Sequence, residues 1–179
     1  MSRGPSVAVF DTNVLVSGFL SPHGAPGLIV DWLRSGAVRA GLDDRIVAEY
    51  EDVLFRLELD LPRHEVAIVL KRIQSQAAFA VVSPAHLVRG LPDADDAPFA
   101  ECAVALECPL VSGNTRHFPS KAIGKLTVLT PRQFVDAGGE RYGIFPDSGK
   151  ELRPLFSARS RESTARLCSA FFQRRQRQI

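Results

Sequence analysis

A small set of carboxylate, amide and hydroxyl side chains in this sequence has the types and spacing of a metal site. The set comprises Asp11, Asn13, Glu49, Glu51, Asp93, Asp95, Asp96, Ser112 and Asn114. Oxygen ligands of this kind are preferred by Mg²⁺ and Mn²⁺. Such ions polarise a phosphodiester and generate hydroxide from bound water. If these side chains converge on one pocket, metal-assisted phosphodiester hydrolysis is the leading chemistry.

Asp11 stands directly after an apolar run that predicts a strand. Residues 7–10 are continuously apolar and partly β-branched, a pattern typical of a strand covered on both faces in a parallel sheet. We expect it to be the central strand. Ligands of such sheets bind outside the carboxyl ends of the strands, where Asp11 would point into a cleft. The alternative role for Asp11 with Asn13 is an Asx turn or a helix N-cap.

Ser112 and Asn114 follow a second apolar stretch, 109–111, which also predicts a short strand. They would face the same crevice as the first strand's end, where their side chains could hold a water or a ligand oxygen. A simple turn through Gly113 and Asn114 is equally natural.

Three aspartates crowd into four positions at Asp93, Asp95 and Asp96. Their mutual repulsion is costly unless a cation or solvent screens it. The structural alternative is that Asp95 or Asp96 caps a helix that begins near Pro98.

Glu49 and Glu51 lie on either side of the apolar stripe of a predicted helix that begins at Asp43 or Asp44 and continues to about Leu57. Either carboxylate could reach the edge of the sheet, and either could be a solvated surface charge. Periodicity does not choose between them.

The remaining pattern predicts a parallel α/β sheet, because strands alternate with helices along the chain. Besides 7–10 and 109–111, the predicted strands are 37–41, 79–82 and 126–129. Besides the helix from Asp43 or Asp44, the predicted helices cover 27–34, 62–78 and about 98–107, with a last one opening at Pro131.

Length and composition exclude several classes of protein. The chain has 179 residues, 45% hydrophobic and 23% charged, which fits a globular domain with a further extension. Its apolar runs are far shorter than a membrane span and it begins without a leader pattern, so we expect a cytoplasmic protein that does not enter the membrane. The three cysteines lack metal-binding or disulfide-framework spacing.

The formal net charge of +2 conceals an uneven distribution. Residues 1–139 contain 13 basic and 16 acidic side chains, whereas residues 140–179 contain 9 and 4. We predict a linker and basic C-terminal extension over 138–179, with a short helix at 162–176. Its arginines could contact RNA phosphates, pair with an acidic partner or remain in solvent.

Four segments of the chain, in order, resemble the motifs of the PIN-domain nucleases. They are 9–15, 49–54, 93–100 and 111–119. The resemblance covers about residues 7–137, which we take as the nuclease domain, 1–137. It is closest to bacterial and archaeal toxin components of toxin-antitoxin systems, related to the VapC toxins. It implies a three-layer α/β/α sandwich around a parallel sheet, frequent homodimers, and cleavage of single-stranded RNA that depends on Mg²⁺ or Mn²⁺.

The same resemblance implies roles for individual residues. Asp11, Glu49 and Asp96 correspond to the family's acidic metal-binding set, which favours Glu49 over Glu51. Asp93 matches an additional acid of this branch. Asn114 stands where many relatives have a fourth aspartate, and Ser112 where they have Thr or Ser.

The leading hypothesis is therefore a metal-dependent endoribonuclease, the toxin of a type II pair held down by a cognate antitoxin protein. Asp11 and Asp96 would hold the main ion, Glu49 would position it or deprotonate the attacking water, and Asn114 with Ser112 would complete the shell. One alternative is a PIN ribonuclease of RNA processing or decay. Another is a binding module for RNA or protein with a degenerate site, motivated by the neutral Asn114.

Overall fold

A parallel sheet of five strands organises the computed structural model, which describes residues 6–141. The strands are β1 (Ser6–Phe10), β2 (Val38–Leu42), β3 (Ala78–Phe79), β4 (Leu110–Val111) and β5 (Val128–Leu129). Their spatial order is β3-β2-β1-β4-β5, and every neighbouring pair is parallel. The expectation that the first strand is central is confirmed.

Seven α-helices connect or flank these strands in the described part of the chain. They are α1 (Thr12–Leu20), α2 (Ala25–Ser35), α3 (Asp44–Leu54), α4 (Arg63–Gln76), α5 (Ala97–Ala105), α6 (Ser120–Ile123) and α7 (Pro131–Arg141). Short 3-10 turns lie at Leu57–Leu59, Pro84–His86, Ala94–Asp96 and Thr115–His117.

The strand order places helices on both faces of the sheet. Parallel crossovers are almost always right-handed. The chain moves outward from β1 to β2 to β3 and then returns to β4, so the α5 crossover falls on the face opposite α2 and α4. In agreement, α2 packs against α4 and α7, while α5 packs against β1 and β4. The predicted three-layer α/β/α sandwich is confirmed.

The register of the central strands brings the candidate residues together at one edge. Phe10 pairs with Val111, and the amide of Asp11 donates to the Val111 carbonyl over 2.9 Å. Because both strands end here, Asp11 and Ser112 emerge side by side at the carboxyl edge of the sheet. Helix α5 runs back from this edge towards the start of β4, so its first residues lie at the same edge.

The core is built on the middle of the sheet, where Ala8, Val9 and Phe10 are fully buried. Phe134 of α7 joins this strand to α2. Its ring lies 5.5 Å from the Phe10 ring and 6.3 Å from the Trp32 ring, between centroids, and both contacts are edge-to-face. The last helix is thereby fixed to the central strand.

Helix α1 is the main element that the sequence pattern does not predict. Seven of its nine residues are buried, so it has no polar face to produce a helical period. A short helix that is apolar on all sides cannot be distinguished from a loop or strand by periodicity alone. The four-residue α6 was also not predicted.

The predicted strand 79–82 is wrong over most of its length. Only Ala78 and Phe79 pair with β2, and the amide of Ala80 makes the last bond, to Leu42. Val81 is 87% exposed, because β3 is the edge of the sheet and the chain leaves it there. The helix predicted to reach Leu57 ends at Leu54, and a separate 3-10 turn follows.

Beyond these elements, α7 continues past residue 137 to Arg141. The predicted helix at 162–176 lies outside the described residues. Among residues 6–141, no helix is both long and apolar enough to cross a lipid bilayer.

Replacing Phe134 with alanine tests whether α7 is part of the core. We expect the free energy of unfolding to fall by about 3–5 kcal/mol, because a fully buried aromatic ring is removed between β1 and α2. Phe79→Ala is the matched control, since that ring is 55% exposed, and its cost is expected to stay below about 1 kcal/mol. Urea unfolding of both variants gives the comparison. Equal losses would contradict the assignment of Phe134 to the core.

Candidate active site

Asp11 is buried at the junction of β1 and α1, where hydrogen bonds hold both of its carboxylate oxygens. Its Oδ1 accepts from the backbone amide of Asn13 at 3.2 Å, which makes it the N-cap of α1. Its Oδ2 accepts from the Asn13 side-chain amide and from the Ser112 hydroxyl at 2.7 Å. The capping role considered from sequence is therefore present. It keeps the carboxylate at a helix N-terminus, where a negative charge is favoured.

Asn13 and Ser112 are buried beside Asp11 and orient it. The Asn13 Oδ1 accepts from the backbone amide of Gly113 at 2.8 Å, across from the end of β4. The Ser112 Oγ, besides donating to Asp11, accepts from the amide of Asn114 at 3.0 Å. A Cβ at Gly113 would lie only 3.1 Å from the Asn13 Oδ1, so a glycine suits this close approach. These contacts tie the two strand ends into one polar network.

Glu49, rather than Glu51, faces this network. The hydroxyl of Thr12, next to Asp11, donates to the Glu49 Oε1 at 2.7 Å. Glu51 instead accepts from the Gln74 side chain on α4 at 3.2 Å and is exposed. The structure therefore separates two acids that periodicity left equivalent.

A second group of ligand atoms forms where α5 begins. Asp93, Asp96 and His117 each offer one ligand atom, and these atoms all lie within 4.8 Å of one another. Asp96 is fully buried, and its Oδ2 lies 2.7 Å from the His117 Nδ1. Asp93 is half-buried and caps the 3-10 turn by accepting from the amide of Asp95. In this geometry an ionised Asp96 accepts a hydrogen bond from the His117 ring when Nδ1 carries the hydrogen.

His117 is the site residue that sequence reasoning missed. It lies in a 3-10 turn, Thr115–His117, where neither a helical nor a strand period marks one face. The available signal was its position three residues after Asn114, on the loop that leaves the same strand end. The side chain of Asn114 makes no capping hydrogen bond to this turn.

Helices α3 and α5 are held together by a charged clamp. Arg45 contacts the Asp43 Oδ2 and the Glu101 Oε2, each at 2.6 Å. Asp43 also caps α3 through the amide of Ile46, and Glu101 accepts from the amide of Val88. Both acids are almost fully buried. Because Glu49 is on α3 and Asp96 opens α5, the clamp fixes the two candidate acids relative to each other.

Tyr50 stabilises the end of β1, directly before Asp11. Its hydroxyl is buried and donates to the backbone carbonyl of Phe10, the residue before Asp11. Burial raises the pKa of Tyr50 well above its ordinary value, and the negative charges of Asp11 and Glu49 raise it further. The phenol therefore stays protonated and acts as a fixed donor at the end of β1.

The predicted residues thus fall into two neighbouring groups. Asp11 and Glu49, with Asn13 and Ser112, form one group, and Asp93 with Asp96 and His117 forms the other. Asp11 and Glu49 are not members of the 4.8 Å set, which among the described residues contains the second group alone. The loop from Ser112 to His117 contacts both groups. Buried carboxylates are normally paired or bind metals, and this donor set fits a divalent cation.

A family model for the PIN domain matches residues 7–116 of the chain, well over half of its length. This chain belongs to the PIN-domain family. Comparisons with curated proteins and with solved structures gave no match.

PIN domains are in general metal-dependent nucleases, and this chain has a group of acidic side chains that could hold a metal ion. The matched range of this PIN domain contains Asp11, Glu49, Asp96 and Asn114 and ends one residue before His117. The matched range therefore includes the acidic side chains that the structure places at the carboxyl edge of the sheet.

The contact of Tyr50 with β1 predicts a specific dependence of stability on pH. Tyr50→Phe removes the donor to the Phe10 carbonyl, and we expect it to lower the free energy of unfolding by about 1–3 kcal/mol at pH 8. Above pH 10 the unfolded phenol loses its proton while the buried one keeps it, so the wild type loses stability as the pH rises. Above pH 10, the difference in the free energy of unfolding between wild type and variant should narrow by up to about 1.4 kcal/mol per pH unit.

Urea unfolding between pH 8 and pH 11 measures this gap. The thiols of Cys102, which is buried, and Cys108, which is half-buried, have pKa values raised by desolvation to about 12 and about 11. Both titrate in both proteins and cancel in the difference. A gap that stays constant with pH would contradict the protonated, buried phenol.

Proposed function

We propose that this PIN domain is an endoribonuclease that uses Mg²⁺ or Mn²⁺ to hydrolyse phosphodiester bonds of single-stranded RNA. The observation that carries the proposal is the cluster of Asp93, Asp96 and His117, which lies at the same carboxyl edge of the sheet as the buried Asp11. A bound divalent ion there would polarise the scissile phosphate and lower the pKa of an attacking water.

The chain's own residues would divide the work as follows. Asp11 and Asp96 are the buried carboxylates that would hold the ion, and their hydrogen bonds to Ser112 and His117 fix their orientation. Glu49 is half-buried and oriented by Thr12, so it is placed to position the ion or accept a proton from water. Asn114 offers a neutral oxygen at the same edge, and Asp93 adds a further charge.

Substitution of the acids tests this division. We expect Asp11→Asn to abolish cleavage of a single-stranded RNA in Mn²⁺ or Mg²⁺, and Glu49→Gln to reduce it by about 10²-fold or more, because each loses a charge that acts on the ion or the water. Glu51→Gln is the matched control on the same helix and should cleave at the wild-type rate. The measurement is the single-turnover cleavage rate of a labelled RNA, with and without a chelator.

Two outcomes would count against the proposal in different ways. Cleavage that survives both the chelator and Asp11→Asn would refute the metal mechanism. If the wild type binds RNA but neither cleaves it nor takes up Mn²⁺ in calorimetry, the domain is a degenerate binding module, as the neutral Asn114 allows.

The biological role we propose is that of a toxin in a type II toxin-antitoxin pair, acting in the cytoplasm as a homodimer and inhibited by a cognate antitoxin protein. Its support is the resemblance of the four motifs to the VapC-related branch. A PIN ribonuclease of RNA processing or decay would have the same site, so only a cellular measurement separates the two roles.

Induced expression in a bacterial host supplies that measurement. We expect growth to stop within a few generations when the wild type is induced, because a toxin cleaves RNA that the cell needs. Asp11→Asn should relieve the arrest, whereas Glu51→Gln should not. Unimpaired growth of cells that contain active wild-type nuclease would favour the processing role over the toxin.

A further inference from the structure

The loop that leaves β4 differs in charge from the rest of the domain. Between residues 109 and 130 there is no aspartate or glutamate, whereas Arg116, Lys121 and Lys125 are all present and exposed. The domain as a whole is acidic, with 13 basic and 16 acidic residues over 1–139. The loop is therefore a local region of positive potential.

The cations of this loop have no acidic partner within the described part of the chain. Four arginines elsewhere in the domain, Arg34, Arg45, Arg56 and Arg132, form ion pairs to aspartate or glutamate. Others, such as Arg39, Arg63 and Arg72, donate to backbone carbonyls. Among residues 7–137, whose side chains the structure describes, no carboxylate lies within ion-pair distance of Arg116 or Lys121. Their charges are thus available to an external anion rather than used to stabilise the fold.

Arg116 and Lys121, which we call the basic rim, lie on the segment that leaves the site after β4. Arg116 precedes His117, whose ring contacts Asp96, and follows the residues that bind Asp11 and Asn13. The rest of the loop is anchored by two buried side chains, Phe118 and Ile123. The basic rim is therefore held on a packed segment at the border of the cleft. Lys125 lies three residues before β5, towards the opposite edge of the sheet.

The other side of the cleft has the opposite charge. Strand β2 flanks β1 on the side away from β4, and the segment 43–60 follows it. That segment contains seven acidic residues against Arg45 and Arg56, and both arginines are bound to acids. The end of β1 thus lies between the acidic start of α3, with Asp43, Asp44 and Glu49, and the loop that contains the basic rim.

We propose that the basic rim, Arg116 with Lys121, binds the phosphate backbone of single-stranded RNA next to the scissile bond. The inference rests on the proposed function for its choice of RNA. A polyanion is repelled by the acids of the cleft and by segment 43–60, so cations outside the metal site must hold it. The rim supplies such cations on the β4 side, so the RNA strand would lie along the β4–β5 side of the cleft.

The test is the salt dependence of RNA binding by the full chain. A fluorescent 20-nucleotide oligouridine is titrated in EDTA, which prevents cleavage, at 50–200 mM salt. For Arg116→Gln with Lys121→Gln, we expect the slope of log affinity against log salt to fall by about 1.4, since each phosphate contact on a single strand contributes about 0.7. The wild type would then lose affinity about sevenfold more than the variant over this range.

Lys71→Gln with Arg72→Gln is the matched control. It removes the same charge from two exposed positions in the second half of α4, which leads to the start of β3 at the far edge of the sheet. Its slope should equal that of the wild type. Arg116→Lys keeps the charge and should also keep the slope, which separates loss of charge from damage to the loop.

Three results would overturn the inference. They are an unchanged slope in the rim variant, an equal fall in the control, and a fall found instead when Arg174, Arg175 and Arg177 are replaced with glutamine. Cleavage in Mn²⁺ is measured in parallel. If the wild type cleaves RNA and the rim variant has the same salt slope as the wild type, RNA binding by the basic rim is refuted and the proposed function is not. If the rim variant lowers the salt slope but the wild type never cleaves RNA, the proposed function is refuted and the role of the basic rim is not.

Discussion

Burial of a carboxylate at the end of the central strand is the constraint on which the rest of this domain depends. Asp11 is 1% exposed, and a charge so placed is costly unless hydrogen bonds or a cation compensate it. Asn13 and Ser112 supply the hydrogen bonds from two different elements. They reach Asp11 because β1 and β4 are adjacent and in the register that pairs Phe10 with Val111. The strand order, the cap of α1 and the candidate site therefore all follow from the need to compensate this buried carboxylate.

The same requirement explains why α3 and α5 are fastened together. The two helices begin at the edge where Asp11 lies, and each presents an acid there, Glu49 and Asp96. Like charges at short range push apart, so the helices need an attraction elsewhere. Arg45 provides it by contacting an acid at the start of α3 and Glu101 on α5. The clamp opposes the separation that the acids of the cleft would otherwise favour.

Sequence patterns could predict those parts of the fold whose faces differ in polarity. β1 was evident because a strand buried on both faces is continuously apolar, and α3 because its apolar stripe repeats with helical spacing. Helix α1 is buried all round, so the same reasoning could not find it. The choice between Glu49 and Glu51 required the tertiary contacts with Thr12 and Gln74. His117 could not be identified from sequence patterns because a 3-10 turn has no periodic face, although Ser112 and Asn114, earlier in the same loop, are candidate site residues.

Net charge proved a poor guide to how an anion would approach this domain. The acidic excess of residues 1–139 suggests repulsion, yet repulsion is decided by where charges lie and by which are neutralised. In segment 43–60, which follows β2, both arginines are bound to acids and the surplus stays negative. In the loop that follows β4, Arg116 and Lys121 form no ion pair with an acid of the described side chains. Fields from exposed charges fade within about 10 Å at ordinary salt. An RNA strand at the cleft therefore responds to the charges on its two sides and not to the net charge of the chain. The asymmetry also gives the bound strand a preferred side, which a uniformly basic surface would not.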